Sequence, residues 1–279
     1  MSQPVRIGVF DSGFGGLTVL RALLPQIPIA EFIYLGDTAR LPYGSKSKAT
    51  IERYAMESAR LLVDHGAEYL VIACNTASAL ALDAIRSTVA VPVLGVIETG
   101  AASAAAISKS RDVLVLATDA TVQSHAYAQA TAARGLRALE KACPLLVPLI
   151  EEGWTEHAVT SQVLRIYLEE ALHQAEERQW MPDTVLLGCT HYPLLRPLLE
   201  RTLPASMQIL DSAATTAACV RQDLESRAML QVDTPANDNP IAANRCRFFA
   251  TDSVDKFRAL GSRFLGHSIE TVELIDLGG

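Results

Sequence analysis

Short runs of apolar, largely β-branched residues recur along the chain, and most of them are followed by a stretch with helical spacing. The runs lie at 5–10 (VRIGVF), 32–35 (FIYL), 69–73 (YLVIA), 91–95 (VPVLG), 112–117 (DVLVLA), 184–188 (TVLLG) and 207–210 (MQIL). A strand that is apolar on both faces has no side to turn to water. Such strands belong in parallel sheets covered by helices on both faces. Helical patterns fall near 15–24, 47–65, 76–86, 98–108, 121–133, 155–178, 194–202 and 212–228, so an α/β fold is expected. One more strand is expected at 246–251 and one more helix at 254–265. Residues 229–244 (MLQVDTPANDNPIAAN) show no period and read as a surface loop.

In parallel sheets ligands gather at the carboxyl ends of the strands. Those positions read Asp11-Ser12-Gly13, Gly36-Asp37-Thr38, Cys74-Asn75-Thr76, Thr118-Asp119-Ala120-Thr121, Cys189-Thr190-His191 and Asp211-Ser212. One such cluster is ordinary helix capping. Its recurrence after nearly every strand suggests a polar pocket ringed by helix N-termini, which suits carboxylate ligands. A weak duplication is also visible: residues 71–76 (VIACNT) parallel residues 186–190 (LLGCT). The two cysteines stand about one α/β domain apart. Two like domains, with the active site in the cleft between them, would set the cysteines on opposite walls.

Composition narrows the function. A 279-residue chain that is 49% hydrophobic and 20% charged fills one large or two modest globular domains. Its net charge of -7 argues against a nucleic-acid partner, which needs a basic patch. No apolar run is long enough for a membrane span, and the N-terminus lacks the pattern of a signal peptide. A cytoplasmic location and a small-molecule substrate are expected. The five cysteines form no CxxC pair, so neither a zinc ribbon nor a redox dithiol is indicated. No ligand cluster suggests a metal, and no lysine sits in a motif for a Schiff base, so no cofactor is expected.

Isolated cysteines in such proteins are usually small buried hydrophobes, and Cys143, Cys219 and Cys246 are read that way. Cys74 and Cys189 differ because each follows an apolar strand and precedes a helix N-terminus. That setting lowers a thiol pKa from about 8.5. Two thiols in matching settings suit a reaction that removes a proton from one face of a carbon and returns one to the other. One thiolate and one thiol do this without turning the substrate over, and they exchange roles between directions.

The remaining motifs have plainer alternatives. Residues 11–16 (DSGFGG) turn from strand to helix, but they match neither GxGxxG nor a P-loop, and Asp11 would repel a phosphate. An ammonium group suits that turn better. The loop 38–44 (TARLPYG) is either a plain connection or a carboxylate site built from backbone amides and the Tyr43 and Ser45 hydroxyls. His191 follows Cys189 by two positions. Side chains so close on a loop are not expected to meet, so His191 is read as tuning the thiol or orienting substrate. Glu151 and Glu152 end the apolar run 145–150 and otherwise read as a solvated pair.

Across nearly its whole length the sequence resembles the glutamate racemases, within the cofactor-independent aspartate/glutamate racemase family. The resemblance rests on FDSGFGGLTVL (10–20), YLGDTARLPYG (34–44), ACNTAS (73–78), CPLLVPLIEEGW (143–154), LLGCTHYPLL (186–195) and LDSA (210–213), and more loosely on FFATDSVDKF (248–257). It implies interconversion of L- and D-glutamate, feeding D-glutamate into bacterial peptidoglycan. It implies Cys74 and Cys189 as proton donor and acceptor, with Cys74 deprotonating the D-isomer and Cys189 the L-isomer. Asp11 and His191 would assist the thiols, and of the two glutamates Glu151 is the better match. Asp11, Ser12, Pro42, Tyr43, Gly44, Asn75, Thr76, Thr118, Thr121, Thr190 and His191 would surround the substrate. The family's usual glycines before the two threonines are Ala117 and Ala120 here. The resemblance also implies a discontinuous first domain (1–97 with 211–279), a second domain (98–210) and a homodimer. Three rival readings are an aspartate-specific relative, a one-thiol lyase of the same fold and a non-catalytic binding protein.

Overall fold

The computed structural model describes residues 4–230 and 245–277. All but the first two residues of the segment 229–244, read above as a loop, lie outside the described residues. The strands are β1 (Arg6–Asp11), β2 (Glu31–Gly36), β3 (Tyr69–Ile72), β4 (Val93–Gly95), β5 (Asp112–Ala117), β6 (Arg137–Ala142), β7 (Thr184–Gly188), β8 (Gln208–Asp211), β9 (Cys246–Ala250) and β10 (Glu273–Leu274). They form two all-parallel sheets, in the orders β10-β9-β2-β1-β3-β4 and β6-β5-β7-β8. The chain divides into two compact units, Met1–Val96 with Ala213–Gly279, and Ile97–Ser212. This is the two-domain α/β architecture expected from the continuous apolar strands.

In the first unit, β1, β2 and β3 are buried along almost their full length. Helices Leu17–Gln26, Lys48–Asp64 and Val254–Leu265 pack on this unit. Lys48–Asp64 shows how sequence sets its face. Ser47 caps its start by accepting from the Thr50 N–H, and Ile51, Ala55, Ala59 and Leu62 form one buried stripe. Two glycines let backbone approach the strand ends closely. A Cβ on Gly16 would stand 2.5 Å from the Asp11 Cβ, and one on Gly36 would stand 2.4 Å from the Gly13 carbonyl oxygen.

In the second unit, β5 and β7 are fully buried, while the edge strands β6 and β8 are half exposed. The structure departs from the sequence expectation in places. β6 (RALEKA) was not expected, because an edge strand carries polar residues and shows no apolar run. The helix expected at 121–133 is two helices, Asp119–Ser124 and Ala126–Ala132, broken at His125, whose φ is 54°. The helix expected at 76–86 divides at Ala81. Among the described residues, no helix is long and apolar enough to cross a membrane.

Candidate active site

In the first unit, β1 ends at Asp11 and β3 ends two residues before Cys74. The Asp11 carboxylate accepts the Gly13 N–H at 2.9 Å, which shapes the turn 11–16. Beneath it the buried Tyr34 hydroxyl donates to the Gly13 carbonyl at 3.1 Å. Cys74 is the N-cap of helix Asn75–Leu80, and its sulfur accepts the Ala77 N–H at 3.4 Å. Its thiol donates to the Ser12 hydroxyl, also at 3.4 Å. Asn75 and Thr76 form the first turn of that helix and are buried with it.

The expected direction of the Cys74 pKa is overturned. Burial, helped by the nearby Asp11 carboxylate, pushes the thiol up to about 12. The Ser12 and Ala77 hydrogen bonds act the other way and lose. A helix N-terminus stabilises a thiolate only as far as desolvation allows.

The loop after β2 carries Pro42, Tyr43 and Gly44. Pro42 is exposed, whereas Tyr43 is buried and opens a short 3-10 turn. The Tyr43 hydroxyl, one of the donors that the loop sequence offers, donates to Asp37 Oδ2 at 2.5 Å. Burial, followed by Asp37, pushes its pKa far above the ordinary phenol value. The Ser45 hydroxyl turns back to the Pro42 carbonyl.

In the second unit, β7 ends at Gly188 and the chain folds into a tight turn. Tyr192 N–H bonds the Cys189 carbonyl at 3.2 Å. This turn brings the His191 Nδ1 to 3.9 Å from the Cys189 sulfur and 3.4 Å from the Thr190 hydroxyl. Cys189 and His191 do meet, contrary to the expectation from their spacing. The other ring nitrogen, His191 Nε2, lies 3.2 Å from Glu151 Oε1. Glu151 is the last residue of helix Leu146–Glu151, and Glu152 is its C-cap. Burial depresses the His191 pKa, but the hydrogen bonds and charges of Cys189 and Glu151 outweigh it and push the imidazole up to about 10.

Thr118, just past β5, caps helix Asp119–Ser124 by accepting the Thr121 N–H, and the two threonine hydroxyls lie 2.9 Å apart. The Tyr192 hydroxyl donates to the Cys143 carbonyl at 2.9 Å and to the Ala117 carbonyl at 3.3 Å, tying the ends of β5 and β6 to the Cys189 turn. All five cysteines are free. Among the described residues, no three His, Cys, Asp or Glu side chains are placed to hold a metal ion.

Two groups of expected residues are therefore assembled, one per unit. The first joins Asp11, Ser12, Cys74, Asn75 and Thr76 at neighbouring strand ends. The second joins Glu151, Cys189, Thr190 and His191 in one hydrogen-bonded row, with Thr118 and Thr121 at the end of the adjoining strand. Tyr34, Asp37 and Tyr192 were not among the expected site residues. Each is buried: Tyr34 holds the Gly13 carbonyl, Asp37 the Tyr43 hydroxyl, and Tyr192 the Ala117 carbonyl beside Thr118. Only Asp37 left a sequence signal, as a member of a strand-end polar cluster.

Comparison with known proteins adds a second line of findings. Residues 18–220 match the family model described as Asp/Glu/Hydantoin racemase. A curated relative from Koribacter versatilis, named glutamate racemase, is 52% identical, with 99% of each chain covered. Among solved structures, a glutamate racemase from Bacillus anthracis has a TM-score of 0.87 at 33% identity, covering 99% of each chain. A glutamate racemase from Francisella tularensis, solved with D-glutamate, has a TM-score of 0.86 at 32% identity, again covering 99% of each chain.

Proposed function

The chain belongs to the Asp/Glu/Hydantoin racemase family, and from that premise we propose that it is a glutamate racemase in which Cys74 and Cys189 are the two acid–base groups. One observation carries the reading. Each unit ends an interior parallel strand in a buried thiol, and each thiol has its own polar partner: Ser12 for Cys74 and His191 for Cys189. The glutamate named for the relatives supplies the substrate, and D-glutamate for peptidoglycan is the expected use of the product.

The chemistry follows from balanced proton transfers. With L-glutamate, the Cys189 sulfur takes the α-proton as a thiolate, and the Cys74 thiol delivers its proton to the opposite face of Cα. The D-isomer reverses both steps, in the order the family resemblance implies. Racemisation requires both sulfurs to reach one Cα. The substrate α-proton is a very weak acid, so negative charge must be met where it develops. Each unit holds donors of the kind an α-carboxylate needs: backbone N–H groups at a helix start, by Asn75 in the first and by Asp119 in the second, with hydroxyls nearby. His191, imidazolium at neutral pH, offers one N–H toward the Cys189 sulfur and the other to Glu151. Asp11 suits the substrate ammonium. A cation there offsets the carboxylate charge that helps hold the Cys74 pKa high.

The free cysteines suit a reducing compartment, so we place the protein in the cytoplasm. A homodimer is the assembly the family resemblance supports. The test is incubation with L-glutamate in heavy water. Deuterium at Cα together with appearance of the D-isomer supports the reading. Binding without exchange overturns it, and faster turnover of aspartate reassigns the substrate. A Cys189→Ser variant that racemises at the normal rate would refute the two-thiol mechanism.

A further inference from the structure

The loop that carries Pro42, Tyr43 and Gly44 is held from a distant part of the sequence. Thr251, the residue after β9, donates its hydroxyl to Asp37 Oδ1 at 2.9 Å and accepts the Ala39 N–H at 2.9 Å. One residue further on, the exchange is reciprocal. The Thr38 hydroxyl donates to the Asp252 carbonyl at 2.6 Å and accepts the Asp252 N–H at 2.9 Å. Thr251 N–H also bonds the Gly36 carbonyl at 3.3 Å, extending the pairing of β9 with β2. Two threonines thus clasp the base of the loop.

The clasp meets the site through Asp37. This wholly buried carboxylate takes Thr251 on one oxygen and both the Tyr43 hydroxyl and Arg40 Nε on the other, at 2.5 and 2.7 Å. Arg40 also pairs with Glu57 and lies over the Tyr54 ring, 4.1 Å from its centroid, which anchors the loop to helix Lys48–Asp64. Thr251 therefore fixes the carboxylate that fixes Tyr43. With the Tyr43 hydroxyl engaged, the loop's backbone N–H groups remain as donors, and their aim depends on the path from Gly36 to Gly44. Removing the Thr251 hydroxyl leaves a buried carboxylate oxygen one donor short and the Ala39 N–H without that acceptor.

We propose that Thr251, acting with Thr38, is a positioning residue that sets the loop at 38–44 for substrate binding. The proposal rests on the functional reading above, together with the family resemblance that places Pro42, Tyr43 and Gly44 around the substrate. Neither threonine was among the expected site residues, because the partners are more than 200 positions apart.

The experiment compares wild type with Thr251→Val, which keeps the shape and loses the hydroxyl, Thr251→Ser, which restores it, and Thr38→Val, which removes the other half of the clasp. Kinetics with both glutamate isomers are measured alongside hydrogen exchange of peptides covering 37–45. In Thr251→Val, KM should rise about five- to tenfold, the scale of one hydrogen bond, with kcat within about twofold. Amide exchange at 38–44 should quicken, Thr251→Ser should restore both, and Thr38→Val should reproduce both. A Thr251→Val protein that melts at lower temperature with unchanged KM and loop exchange makes the clasp merely structural and overturns the proposal. If Thr251→Val does not fold, Thr38→Val decides by the same two readouts. If wild type turns over no glutamate, the functional reading fails. The exchange measurement needs no substrate and still decides whether the clasp orders the loop.

Discussion

His191 Nε2 stands 3.2 Å from Glu151 Oε1, a contact made across 40 positions of sequence between the end of a helix and a strand-end turn. With the contact between the opposite nitrogen and Cys189, it outweighs burial and pushes the imidazole up to about 10. The pH consequence has a definite sign. A histidine pKa raised from 6.5 to about 10 contributes stability that is fully present below the lower value and is lost as pH rises through the upper one. The proposed reaction uses the imidazolium N–H toward Cys189, so racemisation should also fall off as pH rises through about 10, and Glu151→Gln should move that limb to lower pH. Mirror-image substrates have an equilibrium constant of unity, so kcat/KM must fall equally from both isomers. Rates followed by circular dichroism across pH check this, and an unmoved limb excludes the role given to Glu151.

Cys74 should resist alkylation at neutral pH despite its assigned role. With the thiol pushed up to about 12, little thiolate exists near pH 7. Its modification by iodoacetamide should rise about tenfold per pH unit up to that value. Asp11→Asn removes the second cause of the shift, so it should speed alkylation of Cys74 while slowing racemisation. Site-resolved mass spectrometry reads the first effect and turnover the second. Slower alkylation in the variant contradicts the assigned electrostatics.

Replacing either thiol by a hydroxyl, in Cys74→Ser or Cys189→Ser, should lower racemisation by about 10²–10⁴-fold, the usual contribution of a positioned acid or base. Thermal melting should change little, because serine is close in size. A variant that loses activity only in step with its folding would point to packing instead.

Tyr192→Phe probes the support behind Cys189. The hydroxyl serves two buried carbonyls, Cys143 at 2.9 Å and Ala117 at 3.3 Å. Each carbonyl keeps a backbone donor, Cys143 N–H for Ala117 and Leu146 N–H for Cys143, so losing the hydroxyl should cost about 0.5–1.5 kcal/mol of stability, the net worth of one hydrogen bond. Denaturant unfolding measures it, and an unchanged stability would show that the backbone donors suffice.

The sequence made the interior strands legible because burial on both faces leaves an unbroken apolar run, as in 112–117 and 184–188. Strand Arg137–Ala142 escaped because a half-exposed edge keeps its polar residues. The break at His125 escaped because it lies in one left-handed residue that carries no glycine signal. At the site, the strand-end position marked Cys74 and Cys189 out. The electrostatics of Cys74 were not legible, since desolvation exists only once the chain is packed. The meeting of Cys189 with His191 depends on a turn closed by the Tyr192 N–H. Thr251 depends on β9 lying beside β2, a pairing that no local pattern announces.

That pairing also has a consequence for how the protein is made. Strand β2 takes its second neighbour from residues 246–250, far beyond β3 and β4 in the order of synthesis. On the ribosome the first unit must wait with one flank of β2 uncovered, while every strand of the other sheet has already emerged. An open strand edge of this kind invites pairing with a foreign chain. Nascent chains stalled before residue 246 should therefore be the most aggregation-prone species in the life of this protein. A chaperone that shields β2 would matter at that stage and at no later one.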